Sequence, residues 1–146
     1  MQKIKLQDNN NNLVSLADLV AEKGLIVFFY PKAKTGLCTL EALEYQKHLA
    51  DFKNKGYNVV GVSQDQPEYN NEFCCEQELT FPLLSDVNKE LTDQFKLTFV
   101  EIELDGKPWK KYERSTFVLD RDLNIIKEMR NVDHITHVHE LLQELN

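Results

Sequence analysis

The sequence predicts an α/β fold in which a central mixed β-sheet is flanked by helices. Three observations carry that prediction. The first is the run Leu25-Ile26-Val27-Phe28-Phe29-Tyr30, with no polar interruption and with Gly24 and Pro31 at its ends, the pattern of a strand buried on both faces. The second lies just beyond it, where Ala42, Tyr45, Leu49 and Phe52 recur at helical spacing and make one apolar stripe. The third is the apolar stretch Tyr57 to Val62. Strand, helix and strand in that order make a right-handed parallel crossover.

The other elements follow in chain order. Ile4-Lys5-Leu6 and Leu13-Val14-Ser15-Leu16 flank Asp8 and the run Asn9 to Asn12, which predicts a short N-terminal β-hairpin across an Asn-rich turn. Ser15 to Glu22 forms a helical turn that Lys23-Gly24 ends. The stripe-bearing helix is expected to run on to Lys53-Asn54-Lys55, with Gly56 just past its end. Asp65 stands where it can cap a second helix, Pro67 suits that helix's first turn, and Tyr69, Phe73, Cys74 and Cys75 lie along it. Thr80 to Leu84 is a short strand, and Ser85-Asp86 caps a third helix that turns Leu91 and Phe95 inward. Leu97 to Leu104 alternates toward a turn at Asp105-Gly106-Lys107-Pro108. Arg114 to Leu119 and Asn124 to Met129 form a hairpin across Asp120-Arg121-Asp122, and a last helix starts at Asp133 with Ile135, Val138, Leu142 and Leu145 on one stripe. With 146 residues, no internal repeat and no linker, the expectation is a single domain over 1–146.

Composition narrows the function. A net charge of -7 argues against a nucleic-acid binder, whose affinity depends on neutralising phosphates with Lys and Arg. Met1 to Asp8 lacks the apolar core of a secretory signal, and no stretch approaches the ~18 apolar residues of a membrane span. A cytoplasmic location and no membrane partner are therefore expected. Three cysteines, two of them adjacent, make neither a secreted disulfide framework nor the paired spacing of structural zinc. His134, His137 and His139 lack a cysteine or acidic ligand at matching spacing, so no metal is expected. Nor does any haem, flavin or nicotinamide motif stand out, and no cofactor is expected.

Chemistry concentrates between Pro31 and Cys38. The loop after the first buried strand delivers Cys38 to the first turn of a helix, where unpaired N–H groups and the positive end of the dipole favour a thiolate. That makes Cys38 a nucleophile, against the alternative of a buried structural cysteine. Thr35 lies three residues earlier, within reach of the sulfur, and Pro31 fixes the loop's first corner. Tyr30 and Trp109 read as core or edge packing in preference to pocket lining.

The pattern Pro31-x-x-x-Thr35-x-x-Cys38 resembles the signature of the peroxiredoxins, thiol peroxidases with a thioredoxin-like fold. Phe28-Phe29-Tyr30-Pro31-Lys32, Thr39-x-Glu41-Ala42, Val60-Gly61-Val62-Ser63-x-Asp65, Phe81-Pro82-Leu83-Leu84-Ser85-Asp86 and Arg114-Ser115-Thr116-Phe117-Val118-Leu119-Asp120 are similar to the peroxiredoxin Q branch, also called bacterioferritin comigratory protein. The resemblance runs from about Ile4 to the C-terminus. It implies a thiol-dependent peroxidase that reduces hydrogen peroxide and organic hydroperoxides, with Cys38 as the attacking thiol. Arg114 then matches the family's catalytic arginine, Thr35 joins it at the peroxide, and Glu41 either positions Arg114 or caps the helix. A thioredoxin-type reductant and a monomer are implied in the same way. A peroxide sensor, a one-cysteine peroxidase or a non-catalytic thioredoxin-like binding module are the alternatives. Thioredoxin itself is disfavoured, since positions 35 and 41 are Thr and Glu.

Two departures from the branch pattern stand out. Thr35-Gly36-Leu37-Cys38 replaces the usual Thr-Pro-Gly-Cys and is closer to the Thr-Gly-Ile-Cys of alkyl hydroperoxide reductase E-like peroxiredoxins. Many relatives carry a resolving cysteine five residues after the first, where this chain has Leu43. Some instead carry it on the next helix, after a Phe and seven residues before the Phe of Phe-Pro-Leu-Leu. By that resemblance the resolver is Cys74, after Phe73, and Cys75 falls on a position usually polar. A disulfide needs Cα atoms within roughly 7 Å, so joining two helices this way calls for local unwinding.

Overall fold

The computed structural model describes residues 4–145. Its centre is β3 (Gly24–Phe29), every residue of which is buried. β3 pairs in parallel with β4 (Tyr57–Ser63) and antiparallel with β8 (Ser115–Asp120), so the crossover read from the sequence is present and the sheet is mixed. β4 continues in parallel to β5 (Leu83–Ser85), and β5 pairs antiparallel with β1 (Leu6–Asp8), whose hairpin partner is β2 (Leu13–Val14). β9 (Ile125–Met129) closes the other edge against β8. Among the described residues the sheet has seven strands, in the order β2-β1-β5-β4-β3-β8-β9.

Because side chains alternate along a strand, β3 feeds two cores. Ile26 and Phe28, with Tyr30 beyond the strand, face α1 (Gly36–Lys47), α2 (Leu49–Asn54), α3 (Pro67–Gln77) and α5 (Thr136–Glu144), which contribute Ala42, Tyr45, Phe52, Phe73, Val138 and Leu141. Leu25, Val27 and Phe29 face the other way, toward Leu16 of a 3-10 turn (Leu16–Leu19), Phe117 and Leu119, and Leu91 and Phe95 at α4 (Glu90–Gln94). Among the described residues, no helix is long and apolar enough to cross a membrane.

Several boundaries differ from the sequence reading. The helix expected to run unbroken past Cys38 is interrupted at His48, whose φ of -104° and ψ of 10° leave helical geometry. The stripe survives the break, because Ala42 and Tyr45 on α1 and Leu49 and Phe52 on α2 are all buried. Asp65 does not cap α3; Gln66 takes that position and Pro67 opens the helix. The Asp65 carboxylate instead accepts from the Ala33 amide at 2.7 Å and the Ser63 hydroxyl at 2.8 Å, tying the end of β4 to the loop before Cys38. β5 starts at Leu83, not Thr80, since Pro82 has no N–H for a ladder. The expected four-residue turn shrinks to Asp105-Gly106 with φ of 54° and 78°, the left-handed pair of a tight hairpin. Lys107–Tyr112 is thereby released as β7, which pairs with β6 (Phe99–Leu104) in a separate two-stranded ribbon. The last helix starts at Thr136, not at Asp133, whose carboxylate accepts from the amides of Ile135 and Thr136 in the turn that leads into it.

Gly24 opens β3 with φ of +156°, and a Cβ there would stand 1.9 Å from the Leu119 carbonyl oxygen on β8. Gly24→Ala should therefore push β8 away and cost ~2 kcal/mol or more. Urea denaturation tests this: an unchanged midpoint would mean that β3 and β8 have slack at this register.

Candidate active site

Backbone geometry at the end of β3 places the reactive loop. The Tyr30 amide still donates to Val62 at 3.0 Å, and the buried Tyr30 hydroxyl donates to Asn70 Oδ1 at 2.7 Å. Tyr30 is thus core, as read. After Pro31 the chain is held by the Ala33–Asp65 bond and by Lys34, left-handed at φ of 67° and paired with Glu72 at 2.6 Å. Thr35 is the N-cap of α1, so Cys38 is that helix's third residue, in its first turn as expected. Leu37 keeps negative φ, and its side chain is exposed.

The Thr35 hydroxyl departs from expectation. It donates to the Lys32 carbonyl at 2.7 Å instead of reaching the sulfur. What it still offers the site is a pair of acceptor lone pairs.

Arg114 enters from the start of β8. Its Nη1 donates to Glu41 Oε1 at 2.6 Å and its Nη2 to Cys38 Sγ at 3.3 Å, so one guanidinium spans the carboxyl and the sulfur. Burial opposes its charge, but Glu41 and Cys38 beside it more than compensate and hold it cationic. Glu41 is fully buried. Burial pushes its pKa up to about 8, with Arg114 drawing it only part of the way back. Among the described residues, its second oxygen, Oε2, has no hydrogen-bond partner.

Behind Glu41 lies a layer that sequence reasoning missed. His137 Nε2 is 3.5 Å from Glu41 Oε2, 2.8 Å from the Tyr45 hydroxyl and 3.2 Å from Thr116 Oγ1. Its Nδ1 donates to the Asp133 carbonyl, which leaves Nε2 as an acceptor. Burial lowers the His137 pKa to about 4, so the ring is neutral. Tyr45 was visible in the sequence as an apolar stripe position and His137 as a lone histidine. Nothing local showed that α1, β8 and α5 bring them together. The grouping of His134, His137 and His139 does not form, because His137 points into this network.

Cys38 and the ribbon enclose a cavity of about 330 Å³, bounded by Pro31, Thr35 and Leu37 on one side and by Ile102, Leu104 and Trp109 on the other. Trp109 is therefore pocket lining, not edge packing as expected. The sequence could not show this, since β7 itself was not evident. Cys74 is buried on α3, where its thiol donates to the Leu79 carbonyl at 3.2 Å and burial raises its pKa. Cys75 is exposed, and all three cysteines carry free thiols. Cys38 and Cys74 belong to one buried cluster that also holds Tyr30 and Phe73.

Comparison with known proteins shows the family and the fold. The model of the AhpC/TSA family matches residues 1–128. A Mycobacterium tuberculosis protein that carries a peroxiredoxin name is 41% identical over 141 residues, covering 97% of this chain and 88% of its own. Peroxiredoxin Bcp of Bacillus subtilis is 33% identical over 142 residues, covering 97% and 89%. The solved structure of Xanthomonas campestris peroxiredoxin Q superposes with a TM-score of 0.87 at 30% identity, over 99% of this chain and 90% of that one.

The raised pKa of Glu41 has a thermodynamic consequence. A carboxyl that ionises near pH 8 when folded and near 4.5 when unfolded contributes stability below pH 4.5, and loses it as pH rises through about 8. Between pH 5 and pH 8 the wild type should lose stability relative to Glu41→Gln, by an amount on the order of a few kcal/mol. Chemical denaturation across that range checks it. Parallel pH profiles would mean that folded Glu41 is already ionised at pH 5.

Proposed function

The chain belongs to the AhpC/TSA family, in its peroxiredoxin Q branch, and from that premise we propose that it is a thiol-dependent peroxidase acting through Cys38. The observation that carries the assignment of residues is the single guanidinium of Arg114, bonded to both Cys38 Sγ and Glu41 at the N-terminal turn of α1. The Cys38 thiolate attacks the terminal oxygen of a hydroperoxide, the S–O bond forms, and the O–O bond breaks. The leaving oxygen takes a proton and departs as water or alcohol, and Cys38 becomes a sulfenic acid. Arg114 and the unpaired amides of the first turn stabilise charge moving onto that oxygen, while Thr35 accepts from the incoming peroxide. Glu41 acts through Arg114 by fixing the plane of its fork.

The cavity speaks to the substrate. Ile102, Leu104 and Trp109 of the ribbon, with Leu37 beside Cys38, give it an apolar lining, which suits an alkyl group better than a second hydroxyl. A Xanthomonas campestris bacterioferritin comigratory protein has been captured in structures that address its alkyl peroxide reduction activity. In the remainder of the cycle the Cys74 thiol attacks the Cys38 sulfenic sulfur, the S–S bond forms and water leaves. A thioredoxin-type dithiol then reduces the disulfide. A cytoplasmic monomer is the setting this reading assigns.

Two measurements test it. Stopped-flow oxidation of the reduced protein by hydrogen peroxide and by an alkyl hydroperoxide should slow about 10²-fold in Arg114→Lys, which keeps the charge and loses the fork. An unchanged rate removes Arg114 from the mechanism, and a wild-type rate no faster than that of a free thiol removes the enzyme. Non-reducing peptide mapping after one equivalent of peroxide should show a Cys38–Cys74 link that Cys75→Ser retains and Cys74→Ser loses. Rapid oxidation without turnover by a thioredoxin-type donor would instead indicate a peroxide sensor.

A further inference from the structure

Where α1 meets α2, a second group of ligating side chains lies outside the peroxidase site. Glu44 and His48 stand four residues apart on one face of the helix end, and His139 reaches them from α5. Glu44 Oε2 is 3.0 Å from His139 Nε2 and 3.6 Å from His48 Nε2. The three ligand atoms lie within 4.8 Å of one another, and the two imidazole rings meet edge to face with centroids 5.0 Å apart. His48 Nδ1 lies 3.4 Å from Asp51 Oδ2. Its Nε2 is buried and, among the described residues, has no hydrogen-bond partner.

We propose that Glu44, His48 and His139 form a binding site for a divalent transition-metal cation of the zinc class, with an open fourth position. Ligands held tetrahedrally at zinc distances stand about 3.3 Å from one another; the two separations from Glu44 Oε2, 3.0 and 3.6 Å, fall on either side of that value, and that between the two imidazole nitrogens is within 4.8 Å. An ordinary Glu–His pair explains the arrangement less well. It would close the His48–Glu44 distance to a hydrogen bond, whereas His48 Nε2 stops short and stays unpaired at a desolvation cost that a cation in the gap would remove. Asp51 supplies the outer contact such sites use. By accepting from Nδ1–H it fixes the tautomer that presents the Nε2 lone pair to the centre. Two imidazoles and one carboxylate suit zinc, nickel or copper, not the all-oxygen preference of calcium and magnesium.

Access and proton balance are both accommodated. His139 is about half exposed, with a side-chain value of 48%, so a hydrated cation can enter past it. In the metal-free protein its Nε2–H donates to Glu44; on binding that proton passes to Nδ1 or to water, and the nitrogen and the carboxylate oxygen both turn to the metal. The site would join α1 to α5, the two helices that also carry Cys38, Glu41 and His137.

The test is calorimetric titration of Zn2+ into the reduced 146-residue chain, together with the thermal unfolding midpoint. One saturable site per chain and a raised midpoint are expected. His139→Ala, on an exposed side chain, should weaken binding at least about tenfold, as should Glu44→Gln, and Asp51→Asn should weaken it about tenfold through the outer contact. Cys38→Ser, Cys74→Ser and Cys75→Ser should each retain the site. Co2+ bound in place of Zn2+ should show no thiolate-to-cobalt charge-transfer band. Absence of saturable binding, indifference to His139→Ala, or loss of binding when the thiols are alkylated would each overturn the proposal.

Discussion

The contact on which the rest of the site depends is the fork of Arg114 between Cys38 Sγ and Glu41 Oε1. It joins residues 76 and 73 positions apart in sequence, so only the sheet can bring them together. The device is the antiparallel pairing of β3 with β8, in which Phe29 stands opposite Ser115. The last residue of one strand meets the first of the other, and Arg114 enters β8 beside the point where Pro31 leaves β3. A slip of one residue would turn the side chains of β8 to the opposite face and carry Arg114 with them. Burial on both faces prevents that slip, since Phe117 and Leu119 fill one core and Val118 the other. Packing of the sheet and position of Arg114 are thus the same constraint.

Burying a carboxyl beside that arginine is costly unless its polar atoms are partnered. Glu41 has one oxygen on Arg114 and the other facing His137, itself held neutral and satisfied by Tyr45 and Thr116. A Glu41 that keeps its proton to about pH 8 resolves the difficulty in a definite way. It can hold Arg114 by hydrogen bonding without cancelling the guanidinium charge, so that charge stays available to the sulfur. An ionised Glu41 would orient Arg114 equally well and spend part of its field. Raising the pKa of the carboxyl therefore separates positioning from neutralisation.

Legibility in the sequence followed the reach of each interaction. Local patterns exposed β3, the α1 stripe, the hairpin at Asp120 and the Cys38 helix start, because each is written within a few residues of itself. The family resemblance added Arg114, which the structure brings to Cys38 and which no spacing rule reaches. Three features escaped. β7 was hidden because Lys107-Pro108-Trp109-Lys110-Lys111-Tyr112 is a polar ribbon strand with little burial to mark it. The break at His48 leaves the apolar stripe unaltered and so has no periodic signature. His137 and His48 look alike as isolated histidines, yet one completes the buried layer behind Glu41 and the other faces Glu44. That difference lies wholly in which elements the fold packs against them.

The same helix has two unequal ends, and this bears on how a buried sulfur could reach a second one. Ala42 and Tyr45 anchor the later turns of α1 in the core, where Tyr45 stacks on Phe28 at 4.4 Å. The outer face of the helix is apolar yet exposed, with Leu37 at 51% and Leu40 at 44%. Unwinding the first turn would therefore forfeit little burial beyond Cys38 itself and the Arg114–Glu41 contact, whereas opening from Ala42 onward would break the central aromatic packing. Local opening takes the route that exposes the least apolar surface. Cys74 faces a comparable barrier, since its thiol must leave the Leu79 carbonyl and its burial before it can ionise. On the proposed mechanism the attacking thiolate becomes a neutral sulfenic acid, which offers the Arg114 Nη2 that now contacts Cys38 Sγ a weaker partner. In the proposed cycle, oxidation would thus weaken the contact that holds the first turn closed, and the chemical step would itself lower the barrier to the proposed Cys38–Cys74 rearrangement.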